Sequence, residues 1–119
     1  MTSKLPTLRE GELETIRRKY PERIPIFVTR STQSDKSTPD LKRHKFLIPS
    51  HFTFGNVIYT IRKWLTLPPE KGLFLFIVPP EKKNEFTPSP SSLLAELYET
   101  NHHRNGVLYV VYTLENTFG

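Results

Sequence analysis

The residue types that most often perform catalysis occur in this sequence, but their spacing does not predict an active site. The four histidines are His44, His51, His102 and His103. Adjacent side chains on a helix point in different directions, so His102 and His103 do not form the i, i+4 pair of a metal site. The phosphate-binding glycine loops and the Gly-x-Ser-x-Gly element do not occur, and Ser, His and Asp show no triad-like spacing. We therefore expect no catalytic residues, no metal site, no cofactor and no enzymatic activity.

A different kind of chemistry is indicated by the end of the chain. The strand-like run Val107–Thr113 is followed by a short, mainly polar segment whose last residue is Gly119. Such an ending is what a protein needs if its own terminal carboxylate is the reactive group. Because glycine makes up roughly 7% of protein residues, the ending alone is weak evidence.

Composition limits the classes of protein to which the chain can belong. Its 119 residues (13.9 kDa) are enough for one domain with a modest core. The absence of cysteine excludes disulfides and thiolate chemistry and is typical of a reducing compartment, so a cytoplasmic location is expected. The longest apolar run, Leu73–Val78, is too short to span a bilayer, and the N-terminus lacks the apolar stretch of a signal peptide.

Positive charge is concentrated in the first half of the chain. The net charge is +5, and residues 1–63 carry 13 Lys and Arg against 6 Asp and Glu. This half could face nucleic acid, anionic lipid or an acidic partner, or it could be a solvated surface. The basic segment Lys42–Lys45, followed by Phe46, could contact phosphate and stack on a base. The segment is short and no nucleic-acid-binding signature accompanies it, so nucleic acid is the less favoured partner.

Three helices are predicted from their caps and apolar spacing. The first follows a capping box formed by Thr7 and Glu10, and the second runs from the N-cap residue Thr53 to about Leu65. The third spans residues 91–102. The residues predicted to face inward are Leu13, Ile16 and Tyr20 in the first helix, Val57, Ile58, Ile61 and Leu65 in the second, and Leu94, Leu97 and Tyr98 in the third.

Four strands are predicted between and after these helices. The run Ile24–Arg30 is rich in β-branched residues, and its Pro25 predicts either an edge position or the first position of the strand. A short strand, Phe46–Ile48, comes next. The continuously apolar run Leu73–Val78 is predicted to be buried on both faces. An exposed, proline-rich loop, the third helix and an Asn-Gly turn precede the last strand.

The order of elements, a helix followed by β-β-α-β-α-β, predicts an α+β protein of the β-grasp type. Its four-stranded mixed sheet would have helices packed on it, the last strand in a central place and the apolar third strand in an interior or near-interior place. Residues 1–22 would form an N-terminal helical extension, and residues 23–119 would form the core of a single domain. Residues 43–49 would form an edge strand, whose unpaired backbone groups could bind an acidic peptide by strand addition. The alternative is an edge that its lysines protect from aggregation.

Several segments, in the same order, resemble one family over about residues 8–119. These segments are residues 17–25 (Arg-Arg-Lys-Tyr-Pro-Glu-Arg-Ile-Pro), 45–49 (Lys-Phe-Leu-Ile-Pro), 61–63 (Ile-Arg-Lys), 67–71 (Leu-Pro-Pro-Glu-Lys), 108–109 (Leu-Tyr) and 115–119 (Glu-Asn-Thr-Phe-Gly). They resemble the autophagy ubiquitin-like modifiers, the GABARAP and light-chain-three group. The resemblance implies the ubiquitin-like β-grasp fold, with helices added before the first strand.

The resemblance implies conjugation through Gly119. An activating enzyme would use ATP to activate this carboxylate, and a conjugating enzyme would carry it as a thioester to the amine of phosphatidylethanolamine on autophagosomal membranes. The chain would be cytoplasmic before it is lipidated. Phe118 would be the handle for these enzymes and for a processing and deconjugating cysteine protease. A glycine terminus suits this chemistry because it has no Cβ to block a narrow catalytic channel.

The resemblance also implies peptide binding at the second strand. An acidic-flanked aromatic-x-x-aliphatic peptide of a cargo receptor or adaptor would add beside Lys45–Ile48, and its acidic flank would meet Arg23, Arg43 and Lys45. The expected lining of the aromatic pocket is Ile16, Pro25, Phe27, Lys45, Leu47 and Val107, and that of the aliphatic pocket is Phe46, Ile48, Pro49, Phe52, Val57 and Ile61, with Glu12 as a further peptide contact.

Some residues depart from the family pattern. Val107 stands where the family often has Phe, Phe27 replaces a β-branched residue, and Trp64 occupies a position that is usually Arg. The proline-rich loop of residues 79–90 is longer than in common members. The N-terminus is short, so the first of the family's two leading helices is expected to be reduced or missing. The alternative function is a scaffold that binds peptides without being conjugated.

Overall fold

In a computed structural model, the described part of the chain forms one four-stranded sheet and three helices. The structure describes residues 5–32, 34, 38–81 and 83–114. The elements are α1 (Glu12–Lys19), β1 (Arg23–Arg30), β2 (Lys45–Pro49), α2 (Phe54–Leu65), β3 (Leu73–Val78), α3 (Leu94–Asn101) and β4 (Leu108–Leu114). The strand order is β2-β1-β4-β3, in which β1 and β4 are parallel and the two outer pairs are antiparallel. The predicted α+β architecture, with the last strand inside a mixed sheet, is confirmed.

The helix α2 forms as its sequence predicts, because its signals are local. The Thr53 hydroxyl accepts a hydrogen bond from the Asn56 backbone N–H (3.1 Å), and the Asn56 side chain accepts one from the Thr53 backbone N–H (2.9 Å). The predicted inward residues Val57, Ile61 and Leu65 are buried. Within the described ranges, no helix is long and apolar enough to cross a membrane.

The sheet is covered on both faces. Side chains alternate along β1, so Ile26 and Val28 belong to the main core beneath α2 and α3, whereas Phe27 points to the opposite face. That opposite face carries a smaller second cluster, which consists of Phe27, Val107 and Tyr109 with Leu5 and Leu8 packed against it. Because the interior strands β1 and β4 each pair with two neighbours, backbone groups without a strand partner are confined to the outer strands β2 and β3.

The N-terminal segment differs from the sequence prediction. The capping box of Thr7 and Glu10 does not form, because α1 begins after Gly11, which has φ +80°. The described residues before Gly11 are not helical, and Leu5 and Leu8 pack against the second cluster instead. Burial of these two leucines outweighs the local capping preference.

The inward face predicted for the first helix is also partly wrong. Ile16 is buried as expected, but Tyr20 is 47% exposed, since α1 ends one residue before it. The third helix is shorter than predicted and spans Leu94–Asn101, with Leu94 buried.

The interior position of β1 corrects the interpretation of Pro25 as an edge or first residue. Pro25 is the third residue of β1 and lies opposite Leu47 of β2. Pairing with β4 begins one residue later, where Ile26 lies opposite Leu108. Since Pro25 precedes that first pair, its missing N–H leaves no gap in the ladder to β4.

The strand β3 is an edge strand, and the prediction of an interior strand buried on both faces is wrong. It pairs only with β4 in the sheet, and Phe74 is 45% exposed. The proline-rich loop is largely exposed, as predicted, but it also folds back on β3: Phe86 forms an antiparallel bridge with Ile77, and Pro79 and Pro88 are buried. Burial thus alternates along β3: Leu73, Leu75 and Ile77 belong to the main core, and the loop bridges the edge of the strand at Ile77.

Candidate functional site

The outer side of β2 presents backbone groups that no neighbouring strand pairs. The Val28 N–H donates to the His44 carbonyl (2.8 Å), which sets the alternation of hydrogen bonds between β1 and the segment that includes β2. Phe46, two residues further along, therefore bonds to β1, whereas Lys45 and Leu47 direct their N–H and C=O groups away from it. No neighbouring strand pairs with these groups, so an added strand could bind to them, in competition with Arg23 for the Leu47 carbonyl.

The opposite edge of the sheet is closed. The Ile77 N–H donates to the Phe86 carbonyl (2.7 Å), and the Phe86 N–H donates back to the Ile77 carbonyl (3.1 Å). The Thr87 hydroxyl donates to the Leu75 carbonyl (3.1 Å), which is the next outward-facing group along β3. Strand addition is therefore directed to β2 and not to β3.

The side chains of β2 divide between the two faces of the sheet. Lys45 and Leu47 lie opposite Phe27 and Pro25 of β1, on the face that α1 covers with Ile16. The structure thus brings together most of the residues predicted for the aromatic pocket. Lys45 is exposed and Leu47 is half-buried, so both are accessible from the open edge.

Two residues predicted for the aromatic pocket lie deeper than expected. Val107 is fully buried and Phe27 is 7% exposed, and both belong to the second cluster beneath Leu5 and Leu8. A ligand side chain would reach them only if these leucines moved. The accessible surface on this face is therefore centred on Lys45 and Leu47.

The residues predicted for the aliphatic pocket mostly share the opposite face. Phe46 and Ile48 belong to the main core together with Val57 and Ile61 of α2, and the half-buried Phe52 packs against it. All four core residues are less than 10% exposed. Pro49 is the exception, because strand alternation places it on the face of Leu47.

The groove between α1 and β2 carries an ion pair. It joins the Lys45 ammonium to the Glu12 carboxylate and is the only ion pair found among the described residues. The hydrogen bond from Lys45, together with one from the Arg9 backbone N–H, lowers the pKa of the Glu12 carboxyl below its usual value. The pair thus persists above the ordinary glutamate pKa and is lost only at lower pH, as the carboxyl protonates.

The predicted cationic residues surround the same edge. An Arg23 guanidinium nitrogen donates to the Leu47 carbonyl (2.9 Å), which is one of the outward-facing acceptors of β2. Arg43 and Lys45, with Phe46 and Leu47, line a surface concavity of about 470 Å³. No group of His, Asp and Glu in the described segments is arranged to hold a metal ion.

One residue beside this edge was not predicted as part of the site. Trp64, near the end of α2, packs edge-to-face on Phe46 with ring centroids 6.1 Å apart, yet it is 59% exposed. The signal in the sequence that could have identified Trp64 was its departure from the family pattern, which usually has Arg at this position. The predicted conjugation residues, Phe118 and Gly119, lie outside the described residues.

Comparison with known proteins connects this geometry to one family. The family described as "Autophagy protein Atg8 ubiquitin like" matches residues 8–119. Autophagy-related protein 8 of Mycosarcoma maydis is 41% identical over 111 residues, which cover 93% of this chain and 87% of that protein. Autophagy-related protein 8d of Arabidopsis thaliana is 40% identical over 111 residues, which cover 93% of this chain and 86% of that protein.

A solved structure has the same fold. The crystal structure of Trypanosoma brucei ATG8 superposes with a TM-score of 0.76 at 31% sequence identity, covering 92% of this chain and 88% of that chain. The similarity in sequence and the similarity in structure therefore extend over nearly the whole chain.

Proposed function

The chain belongs to the Atg8 family of ubiquitin-like autophagy proteins, and from this premise we propose two linked activities. The first is covalent attachment through Gly119 to phosphatidylethanolamine. The second is the binding of acidic aromatic-x-x-aliphatic peptides of cargo receptors and adaptors at the open edge of β2. The protein would be cytoplasmic until it is conjugated and would then reside on the autophagosomal membrane.

Conjugation requires only that the chain present its terminal carboxylate to other enzymes. ATP-dependent adenylation would activate the Gly119 carboxylate, an enzyme thiol would displace AMP to give a thioester, and the lipid amine would displace the thiol to give an amide. Family membership supports this proposal, since the family match extends through Phe118 to Gly119. The two acyl chains of the lipid are sufficient for stable membrane attachment.

Peptide binding rests chiefly on one observation: the side chains of β2 divide between two faces next to unpaired backbone groups. In an extended peptide, residues three positions apart point to opposite faces. An aromatic residue beside Leu47 therefore directs the aliphatic residue of the motif toward the face of Phe46 and Ile48. The motif spacing fits the edge without any distortion of the added strand.

Charge supports an acidic ligand. Arg23, Arg43 and Lys45 surround the open edge, and Glu12 is the acidic residue that is paired there. A ligand carboxylate would compete for Lys45 with Glu12, and Arg23 would exchange its bond to the Leu47 carbonyl for one to the ligand. Two anchors and a few backbone hydrogen bonds correspond to about −8 kcal/mol, a micromolar Kd.

We also propose a role for each of the two parts of the chain. We propose that residues 1–22 form an extension that covers the sheet beside the aromatic pocket, and that residues 23–119 form the core and the conjugation tail. Leu5, Leu8 and Ile16 support the role of the extension, because they pack on that face of the sheet.

Conjugation is tested with Gly119→Ala. Wild-type protein, incubated with the cognate activating and conjugating enzymes, ATP and phosphatidylethanolamine liposomes, should give a thioester and then a lipid conjugate that shift on a gel. Gly119→Ala should give neither, whereas Asn116→Ala, a control in the same tail, should resemble the wild type. A full shift for Gly119→Ala would contradict conjugation at this residue.

The same assay distinguishes the proposed conjugation from the alternative function, a scaffold that binds peptides without being conjugated. A peptide-binding scaffold would bind the motif with normal affinity and never form a thioester. This alternative keeps the groove, whose residues are Arg23, Lys45 and Leu47, but gives no role to Gly119. A nucleic-acid function would instead appear as binding to RNA or DNA with a steep dependence on salt.

A further inference from the structure

We propose that a second cleft, which we call the Trp64 cleft, is a specificity subsite for the residue immediately before the aromatic anchor of the peptide. It would receive an aromatic side chain on the Trp64 indole, and its cationic rim would attract the acidic residues upstream. This inference rests on the proposed peptide binding at β2 and deepens it.

The Trp64 cleft lies between the segment that leads into β2 and the end of α2. Its volume is about 590 Å³, and its lining consists of Asp40, Leu41, Lys42 and Arg43 on one side and Lys63, Trp64, Leu65 and Thr66 on the other. The two leucines are buried, whereas the Trp64 side chain is 59% exposed. The cleft thus has an apolar floor and an aromatic wall that solvent can reach.

Charge makes the cleft suitable for an acidic ligand. Lys42, Arg43 and Lys63 line it and are exposed, and the structure assigns no ion pair to any of them. The single carboxylate there, on Asp40, accepts hydrogen bonds from the Leu41 backbone N–H (2.9 Å) and from the Tyr112 hydroxyl (3.3 Å). Three cations with one already engaged carboxylate would attract an anionic partner.

The cleft is continuous with the proposed binding edge. Arg43 lines both the Trp64 cleft and the concavity at Lys45 and Leu47. Trp64 itself packs against Phe46 of β2. A peptide strand bound along β2 therefore passes the cleft without a gap, and the occupant of the cleft belongs to that peptide.

The register of the strand identifies which peptide residue reaches Trp64. The aromatic anchor is numbered position 0, and the aliphatic anchor at +3 would lie near Val57. Because the acidic residues upstream of the anchor would lie beside Lys42 and Arg43, which precede β2, we infer that the peptide runs parallel to β2. Trp64 follows Val57 by seven helical residues, or about 10 Å at 1.5 Å per residue. This distance equals about three to four residues of extended peptide at roughly 3.3 Å each. Counting back three or four residues from +3 gives position 0 or position −1. Position −1 points to the same side of the extended peptide as +3, which is the side of α2, whereas position 0 points to the opposite side.

The exposed indole of Trp64 determines which peptide side chain is preferred at position −1. An exposed indole gains most from another ring, through offset or edge-to-face contact. Acidic residues further upstream would lie near Lys42 and Lys63. The preferred ligand therefore has acidic residues upstream, an aromatic residue at position −1, and the aromatic-x-x-aliphatic motif from position 0 to +3.

A double-mutant cycle by calorimetry tests the subsite. The two peptides carry glutamates upstream, tyrosine or alanine at −1, phenylalanine at 0 and leucine at +3, and each is titrated into wild type and Trp64→Ala. Tyrosine should bind about fivefold more tightly than alanine to the wild type, and this preference should fall below about twofold in Trp64→Ala. The matched control is Phe74→Ala, which removes a 45% exposed aromatic residue from β3, at the opposite edge of the sheet, and should retain the preference.

A second readout uses the single tryptophan of the chain. Because both peptides lack tryptophan, the emission of Trp64 reports directly on the cleft, and only the tyrosine peptide should change it strongly. Replacing the upstream glutamates by glutamine should weaken binding to the wild type more than to Lys42→Gln.

The outcomes separate this inference from the proposed function. If both peptides bind but the tyrosine preference is equal in wild type and Trp64→Ala, the subsite is refuted and strand addition at β2 stands. If neither peptide binds, both proposals fail. If a single-stranded oligonucleotide binds in a manner that depends on Trp64, while the peptide preference does not, the cleft belongs to a nucleic acid and the inference is wrong.

Discussion

Replacing Lys45 and Leu47 together by alanine should weaken binding of an acidic aromatic-x-x-aliphatic peptide by about tenfold. The Leu47 side chain lies opposite Pro25 and is already half-buried in the free protein. Complete burial of a leucine side chain contributes about 1.5–3 kcal/mol, so burial of the remaining half on binding contributes about 1 kcal/mol.

Lys45 adds a smaller, electrostatic contribution. Its side chain is 42% exposed, so a contact with a peptide carboxylate contributes about 0.5 kcal/mol. Its removal also leaves Glu12 without its ion-pair partner, and this carboxylate would then repel an acidic ligand. The two substitutions together cost about 1.5 kcal/mol, which corresponds to the tenfold change in Kd.

Calorimetric titration with one synthetic peptide measures this change. The matched control replaces Lys83 and Phe74 by alanine, because both are exposed and lie in or just after β3, at the opposite edge of the sheet. At high salt the contribution of Lys45 should shrink, and that of Leu47 should remain. A Kd within twofold of the wild type for the Lys45 and Leu47 double variant would refute the assignment of the groove.

Two further predictions concern the fold that positions this edge. Gly106 has φ +84°, and a Cβ there would lie 2.5 Å from Leu13 Cδ2, so Gly106→Ala should lower the free energy of unfolding in urea by about 2 kcal/mol. Gly11→Ala, at φ +80° with open space around it, should cost only the backbone strain of about 1 kcal/mol, and equal losses would contradict the packing argument. Burial, reinforced by the Asp40 charge, raises the pKa of Tyr112 from 10.0 to about 12, so its contribution to stability is complete below pH 10 and is lost as the pH rises toward 12. Urea unfolding at about pH 8 and pH 11 should show a loss of about 1 kcal/mol in the wild type but not in Tyr112→Phe, and an equal loss in both would overturn this interpretation.

Predictions from the sequence succeeded where the signals are local. The helix α2 depends on Thr53, Asn56 and an apolar face with helical spacing, all within a few turns of chain. Its boundaries could therefore be predicted closely. The order of strands followed from the succession of elements, because a parallel pair formed by β1 and β4 needs the long connection between them.

Predictions failed where distant contacts decide the outcome. Thr7 and Glu10 carry a valid capping signal, but Leu5 and Leu8 pack instead against the second cluster on one face of the sheet. The apolar run of β3 has the composition of a strand buried on both faces, and only the fold shows that it is an edge strand whose Phe74 is exposed. Local propensity cannot report burial that is supplied by another part of the chain.

The candidate site also combines features that local sequence predicts with features that depend on distant contacts. The sequence alone determined that Lys45 and Leu47 alternate with Phe46 and Ile48 on one short strand, because side chains along a strand point alternately to its two faces. The sequence also predicted that this strand is an edge, but only the tertiary structure decided that the opposite edge is closed, since the hydrogen bonds between Ile77 and Phe86 that close it link separate segments of the chain. The tertiary structure also decided that Trp64 stands beside the edge over a cationic cleft, because its contact with Phe46 depends on how α2 crosses the sheet and not on any spacing along the chain.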